Sequence, residues 1–187
     1  MRIRCTVPGL SERDVRRALD GLPEAVGYRL VVKPLRYRTE PRLSAVTTFD
    51  DREIILQVPE PFLPFGEIVP YGAKRMPGAD LRFVPLSEGV SFRSPAEVLR
   101  FLYCHEWYHW FLYEVRGKGW SSETACDRFA LRNFRRRTVT MADARAALRR
   151  TEGSVPTPAS RSAAKGRPPR DGTEQLRLPA DFGPVAS

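Results

Sequence analysis

The segment from Pro95 to Val115 constrains this chain more than any other. Ser94-Pro95-Ala96-Glu97 reads as a helix start, with a serine N-cap, a proline at the first helical position and a glutamate reaching back as a capping box. No glycine or proline follows between Val98 and Val115, and Gly117 and Gly119 end the run. Leu99, Phe101, Leu102, Tyr103, Trp107, Trp110, Phe111 and Leu112 leave the helix almost no polar face, so it belongs in the middle of a domain. By length it could span a membrane. Arg100, His105, Glu106, His109 and Glu114 argue against that, because each is costly in lipid. The segment is predicted as a buried central helix around which the other elements are arranged.

The chain has 2 histidines, and both lie in this helix as His105-Glu106-Trp107-Tyr108-His109, an HExxH pattern. A separation of four places both imidazoles on one helix face, a turn apart, where they can share a metal ion. Glu106 sits beside that face, positioned to take a proton from a metal-bound water. The competing reading is a pair of ordinary core histidines.

A catalytic zinc site usually takes three protein ligands and keeps a fourth position open. With no third histidine, the remaining ligand must be a carboxylate or a cysteine. Gly119-Trp120-Ser121-Ser122 reads as a turn and N-cap, and Glu123-Thr124-Ala125-Cys126-Asp127 opens a second helix running to about Arg137. Glu123 and Asp127 share a face of that helix, and a link from Val115 to Ser121 can reach about 20 Å, ample to bring Glu123 over the histidines. An acidic residue in a first turn also serves simply to complement the helix dipole. Cys104 lies about 100° from His105 around its helix, off the ligand face, and Cys126 about 60° from Glu123, so Cys126 stays open as a competitor.

HExxH followed by ExxxD on the next helix resembles the gluzincin metallopeptidases. Glu123-Thr-Ala-Cys-Asp127-Arg-Phe129-Ala130 is similar to the ExEANxFA segment of the ImmA/IrrE group, departing from it at Ala125 and in the short gap after His109. The SprT group of compact zincins would need a third histidine. The resemblance covers residues 94–137 closely. It implies His105, His109 and Glu123 as zinc ligands, Glu106 as general base, and Asp127 as the residue that orients a ligand histidine.

Upstream, residues 2–7, 28–37, 43–49, 52–58 and 81–86 read as strands from their β-branched and aromatic content. Asp50-Asp51 suggests a hairpin between the third and fourth. Ile54, Leu56 and Val58 alternate with Glu53, Ile55 and Gln57, so that strand is at least half-buried, and Pro85 assigns the last one to an edge. Ser11-Glu-Arg-Asp14 caps a helix to about Leu22. The expected fold is α+β: a compact zincin-like domain with a small, mostly antiparallel sheet packed on the buried HExxH helix, plus a second metal-ligand helix. Residues 59–79 hold 5 prolines and several aromatics, so this stretch is read as irregular, either a wrap over apolar surface or a wall of the substrate cleft carrying Tyr71 or Arg75 toward the reacting carbonyl.

The 187 residues, 42% hydrophobic and 28% charged, suit one globular domain over 1–150. From Thr151 onward, 6 prolines and 4 glycines with few large apolar residues mark a disordered tail, 151–187. The last helix is expected from a cap at Thr140 through Arg149. Cys5, Cys104 and Cys126 lack CxxC spacing and read as reduced thiols; with no apolar leader visible, the expected compartment is the cytoplasm. The net charge of +9 and the run Arg135-Arg136-Arg137, with Arg132, Arg145, Arg149 and Arg150, suit either a solvated helix surface or weak nucleic-acid association. Three functions stay open: a zinc metalloendopeptidase acting on a protein or peptide, a zinc-stabilised binding module with little turnover, and a nucleic-acid-associated regulatory protein. Glu106 speaks against the second, because a structural zinc needs no general base.

Overall fold

A computed structural model describes residues 1–75, 83–117 and 122–152. The tail from residue 153, the expected turn at 119–121 and residues 76–82 lie outside the described residues, as does the side chain of Arg75. The described elements run β1 (Arg2–Cys5), α1 (Glu12–Ala18), β2 (Arg29–Arg36), β3 (Ser44–Thr48), β4 (Glu53–Glu60), β5 (Phe65–Arg75), β6 (Phe83–Phe92), α2 (Pro95–Trp110), a π-helical turn (Phe111–Val115), α3 (Glu123–Asn133) and α4 (Met141–Glu152). The fold is a mixed α+β arrangement.

The main sheet has the strand order β1-β2-β4-β3. It corrects the expectation of a mostly antiparallel sheet: β1 pairs with β2 and β2 with β4 in parallel, and only β3 runs antiparallel, to β4. The parallel pairs follow from connectivity, since α1 provides the crossover from β1 to β2, and the chain passes through β3 on the outer edge before returning beside β2. In register, Leu30 faces Ile54 and Val32 faces Leu56. All four are fully buried on the side that receives α2, while the alternate residues Val31, Ile55 and Gln57 are only partly covered.

Residues 59–79 hold a second correction. Instead of an irregular segment, most of this stretch is the 11-residue strand β5, paired antiparallel with β6 in a two-stranded ribbon. Pro61 and Pro64 precede the strand, and Pro70 sits at a register shift between Pro70 and Gly72, where a missing N–H costs no regular ladder bond.

Helix α2 begins at Pro95 with Ser94 as its N-cap, as the sequence predicts, but Glu97 closes on the N–H of Arg93 and not on that of Ser94 as a capping box would. Ser94 Oγ accepts from the Glu97 N–H at 3.3 Å, and the Glu97 bond to Arg93 is 2.7 Å long. Nearly every side chain from Val98 to Leu112 is buried. Arg100 is the cation this core tolerates, because its guanidinium donates to the carbonyls of Ala18, Asp20, Phe134 and Arg136 at 2.5–3.0 Å, groups left open where α1 and α3 end. Both helices stop about a turn earlier than predicted, and these carbonyls find their partner in Arg100. The helical run closes with a bond from Arg116 N–H to Phe111 O, and Gly117, at φ +61°, supplies the left-handed residue that ends it.

Candidate metal centre

The register of α3 on α2 is set by aromatic packing. Phe129 stacks on Tyr108, with ring centroids 4.4 Å apart and planes at 10°, and also meets Trp107 at 5.7 Å. All three rings are buried. Holding Phe129 there turns the first two turns of α3 toward the histidine face of α2.

Four of the residues singled out in the sequence come together as a result. His105 Nε2 lies 3.0 Å from His109 Nε2 and 3.1 Å from Glu123 Oε2, and Glu123 Oε1 lies 3.5 Å from His109 Nε2. Three donors bound at about 2.0–2.1 Å to one tetrahedral ion stand about 3.3–3.4 Å from one another. Two imidazole nitrogens and a carboxylate at these separations therefore fit a zinc ion. Asp127 Oδ1 sits 2.9 Å from the other ring nitrogen, His105 Nδ1. An ionised carboxylate only accepts, so Nδ1 donates to Asp127, and whenever the ring is neutral its lone pair is then on Nε2, the nitrogen at the donor cluster.

Cys126 is the fifth residue here. One ligand atom each from His105, His109 and Cys126 lies within a span of 4.8 Å, and its side chain is fully buried. The Glu123 oxygens lie 3.1 and 3.5 Å from the two imidazole nitrogens, on a side chain that is exposed. Burial also pushes the Cys126 thiol far above its ordinary pKa, with Glu123, Glu106 and Asp127 adding to the shift. Cys104 is likewise pushed up by burial, to about 12. Cys5, Cys104 and Cys126 are all free thiols.

Glu106 is 5% exposed and is held by β3, where Thr47 Oγ1 donates to Glu106 Oε2 at 2.7 Å. Burial raises its pKa, partly offset by His105 and by the Thr47 hydrogen bond, so it is a stronger proton acceptor than a solvated glutamate. For His105, burial works against the charged form, but the hydrogen bond to Asp127 and the carboxylates of Glu106, Asp127 and Glu123 outweigh it and raise the pKa. Burial and then the charge of His105 lower that of His109.

These groups lie in a cleft of about 590 Å³. Leu43 to Thr47, along β3, form one wall; Glu67 to Pro70 of β5 form another, and α2 and α3 supply the metal-site residues. Of residues 59–79, Glu67 to Pro70 line this cleft, and Tyr71 is not among its lining residues. Tyr71 is engaged by Arg128, which donates to its backbone carbonyl at 3.2 Å and lies over its ring. Thr47 and Glu67 were not singled out in the sequence. Residues of β3 show no alternation in burial, so no local pattern distinguishes Thr47 as facing α2.

Of the basic residues, Arg135 pairs with Glu97 at 3.9 Å and Arg136 with Asp143 at 2.7 Å. Among the described residues, no helix is long and apolar enough to cross a membrane. Comparison with protein-family models, curated proteins and solved structures gives no match for this chain.

Proposed function

We propose that this protein is a zinc-dependent metallopeptidase of the gluzincin type, with His105, His109 and Glu123 holding the ion, Glu106 as general base and Asp127 orienting His105. The observation that carries the reading is the convergence of two imidazole Nε2 atoms and a carboxylate at 3.0–3.5 Å, with a separate buried carboxylate, Glu106, on the same cleft. A purely structural four-ligand site has no use for that extra carboxylate.

A bound zinc ion would supply Lewis acidity, activating a water and polarising the scissile carbonyl. Thr47 engages Glu106 Oε2, leaving Oε1 to take a proton from the attacking water and deliver it to the departing amine nitrogen. The Asp127–His105 bond fixes ring orientation and makes Nε2 a better donor. The edge strand β3 borders the cleft, and its outer side pairs with no other strand among the described residues. An extended peptide can add to that edge through main-chain hydrogen bonds, which favours peptide over small-molecule substrates.

The test is metal analysis of the purified full chain together with digestion of an unfolded protein such as casein. Wild type should carry about one zinc per chain and cleave. Glu106→Gln should keep the metal and the fold and lose cleavage by about a hundredfold or more. Near wild-type turnover in Glu106→Gln would overturn the mechanism. Zinc without cleavage in the wild type would favour a metal-stabilised binding module.

A further inference from the structure

Among the cleft carboxylates, Glu67 is the one the proposed chemistry does not use. Glu123 and Glu106 act at the metal centre, and Asp127 is occupied by His105. Glu67 stands on β5, partly buried, and lines the cleft together with β3. Its Oε2 accepts from the Leu43 N–H at 3.0 Å, which ties one oxygen of the carboxylate down at the cleft lining. Among the described residues, no lysine or arginine lines the cleft, although the chain as a whole carries a net charge of +9. Partial burial raises the Glu67 pKa, and Asp127 repels it from nearby, so its charge stands in a position that a cation would relieve.

The walls around it suit the stem of a long basic side chain. Val46 on β3 is 48% exposed and Ile68 on β5 is 73% exposed, and both line the cleft. Lysine and arginine bury their methylenes on such apolar surface while the charged head seeks a carboxylate. A cation meeting Glu67 here is less screened than on the open surface.

We propose that Glu67 forms a specificity subsite that takes a lysine or arginine side chain of the peptide lying along β3. The proposal rests on the peptidase reading for the identity of the ligand, but its central measurement is binding. A randomised peptide library is passed over the zinc-loaded full-length chain carrying Glu106→Gln, so that retained peptides survive, and the selection is repeated with Glu67→Gln or Glu67→Lys added. Retained peptides should be enriched in Lys and Arg at one fixed position. A lysine peptide should be held about 10- to 100-fold more tightly than its norleucine counterpart, the range for a hydrogen bond to a charged group. Glu67→Gln keeps an acceptor for Leu43 and should abolish the enrichment; Glu67→Lys should replace it with Asp and Glu.

Retention without basic enrichment, the same enrichment in Glu67→Gln, or no retention at all would each overturn the subsite. The retained peptides are then given to the wild-type enzyme. Basic-selective retention without cleavage would sustain the subsite and sink the peptidase reading. Cleavage without basic preference would do the opposite.

Discussion

Thr47 on the edge strand and Glu106 on the central helix, 59 residues apart, are joined by a 2.7 Å hydrogen bond from the hydroxyl to the carboxylate. The bond couples the wall along which a peptide would lie to the group that would move the proton. Thr47→Val keeps the shape and the strand preference of the residue and removes only the donor. A hydrogen bond to a charged group is worth about 1.5–3 kcal/mol, so kcat should fall about 10- to 100-fold. KM and zinc content should stay near wild type. A rise in KM with kcat unchanged would mean that Thr47 binds substrate and does not position Glu106.

The third-ligand assignment is tested by comparing three variants. Glu123→Ala should weaken zinc binding severely, because it removes the donor 3.1 Å from His105 Nε2. Asp127→Ala should weaken it about 10- to 100-fold through the loss of the Nδ1 partner. Cys126→Ser should change it little. A Zn–S distance near 2.3 Å in an X-ray absorption spectrum would instead transfer the role to Cys126.

Phe129 links fold stability to the site. Its ring is 1% exposed and stacks on Tyr108. Phe129→Ala should cost about 3–5 kcal/mol in denaturant unfolding. It should also loosen α3 enough to reduce zinc affinity. Phe129→Leu, which keeps most of the volume, should restore much of both.

Asp143 sets part of the acid limb of stability. The hydrogen bond from Arg136, with others from Thr140, holds its pKa below the ordinary aspartate value. A group whose pKa is depressed in the folded state stabilises the fold above its unfolded pKa, and that contribution is lost as pH falls through the folded value. The pair is solvent-screened, so Asp143→Asn should cost within about 1 kcal/mol at neutral pH. The difference from wild type should vanish under strongly acidic conditions. Urea midpoints measured across the acid range would show this convergence, and a constant gap would refute it.

What the sequence alone determined is what short-range periodicity and caps encode. Pro95 at a helix start, an unbroken apolar run and HExxH on one face specify the buried helix and its two-histidine face. The alternation at Ile54, Leu56 and Val58 marks the buried side of β4. The resemblance to the ImmA/IrrE segment implied that Asp127 orients a ligand histidine, and packing placed it against His105 and not His109. Tertiary structure decided the rest. Whether β2 and β4 run parallel depends on the route of the connecting chain, which side-chain alternation does not record. The prolines of residues 59–79 read locally as strand breakers, yet β5 forms because it lies in a two-stranded ribbon and has a register shift at Pro70. Thr47 and Glu67 acquire their partners only when β3 and β5 are brought together around one cleft. These pairings are contacts between distant segments, formed by packing whole elements together, and no window of neighbouring residues contains them.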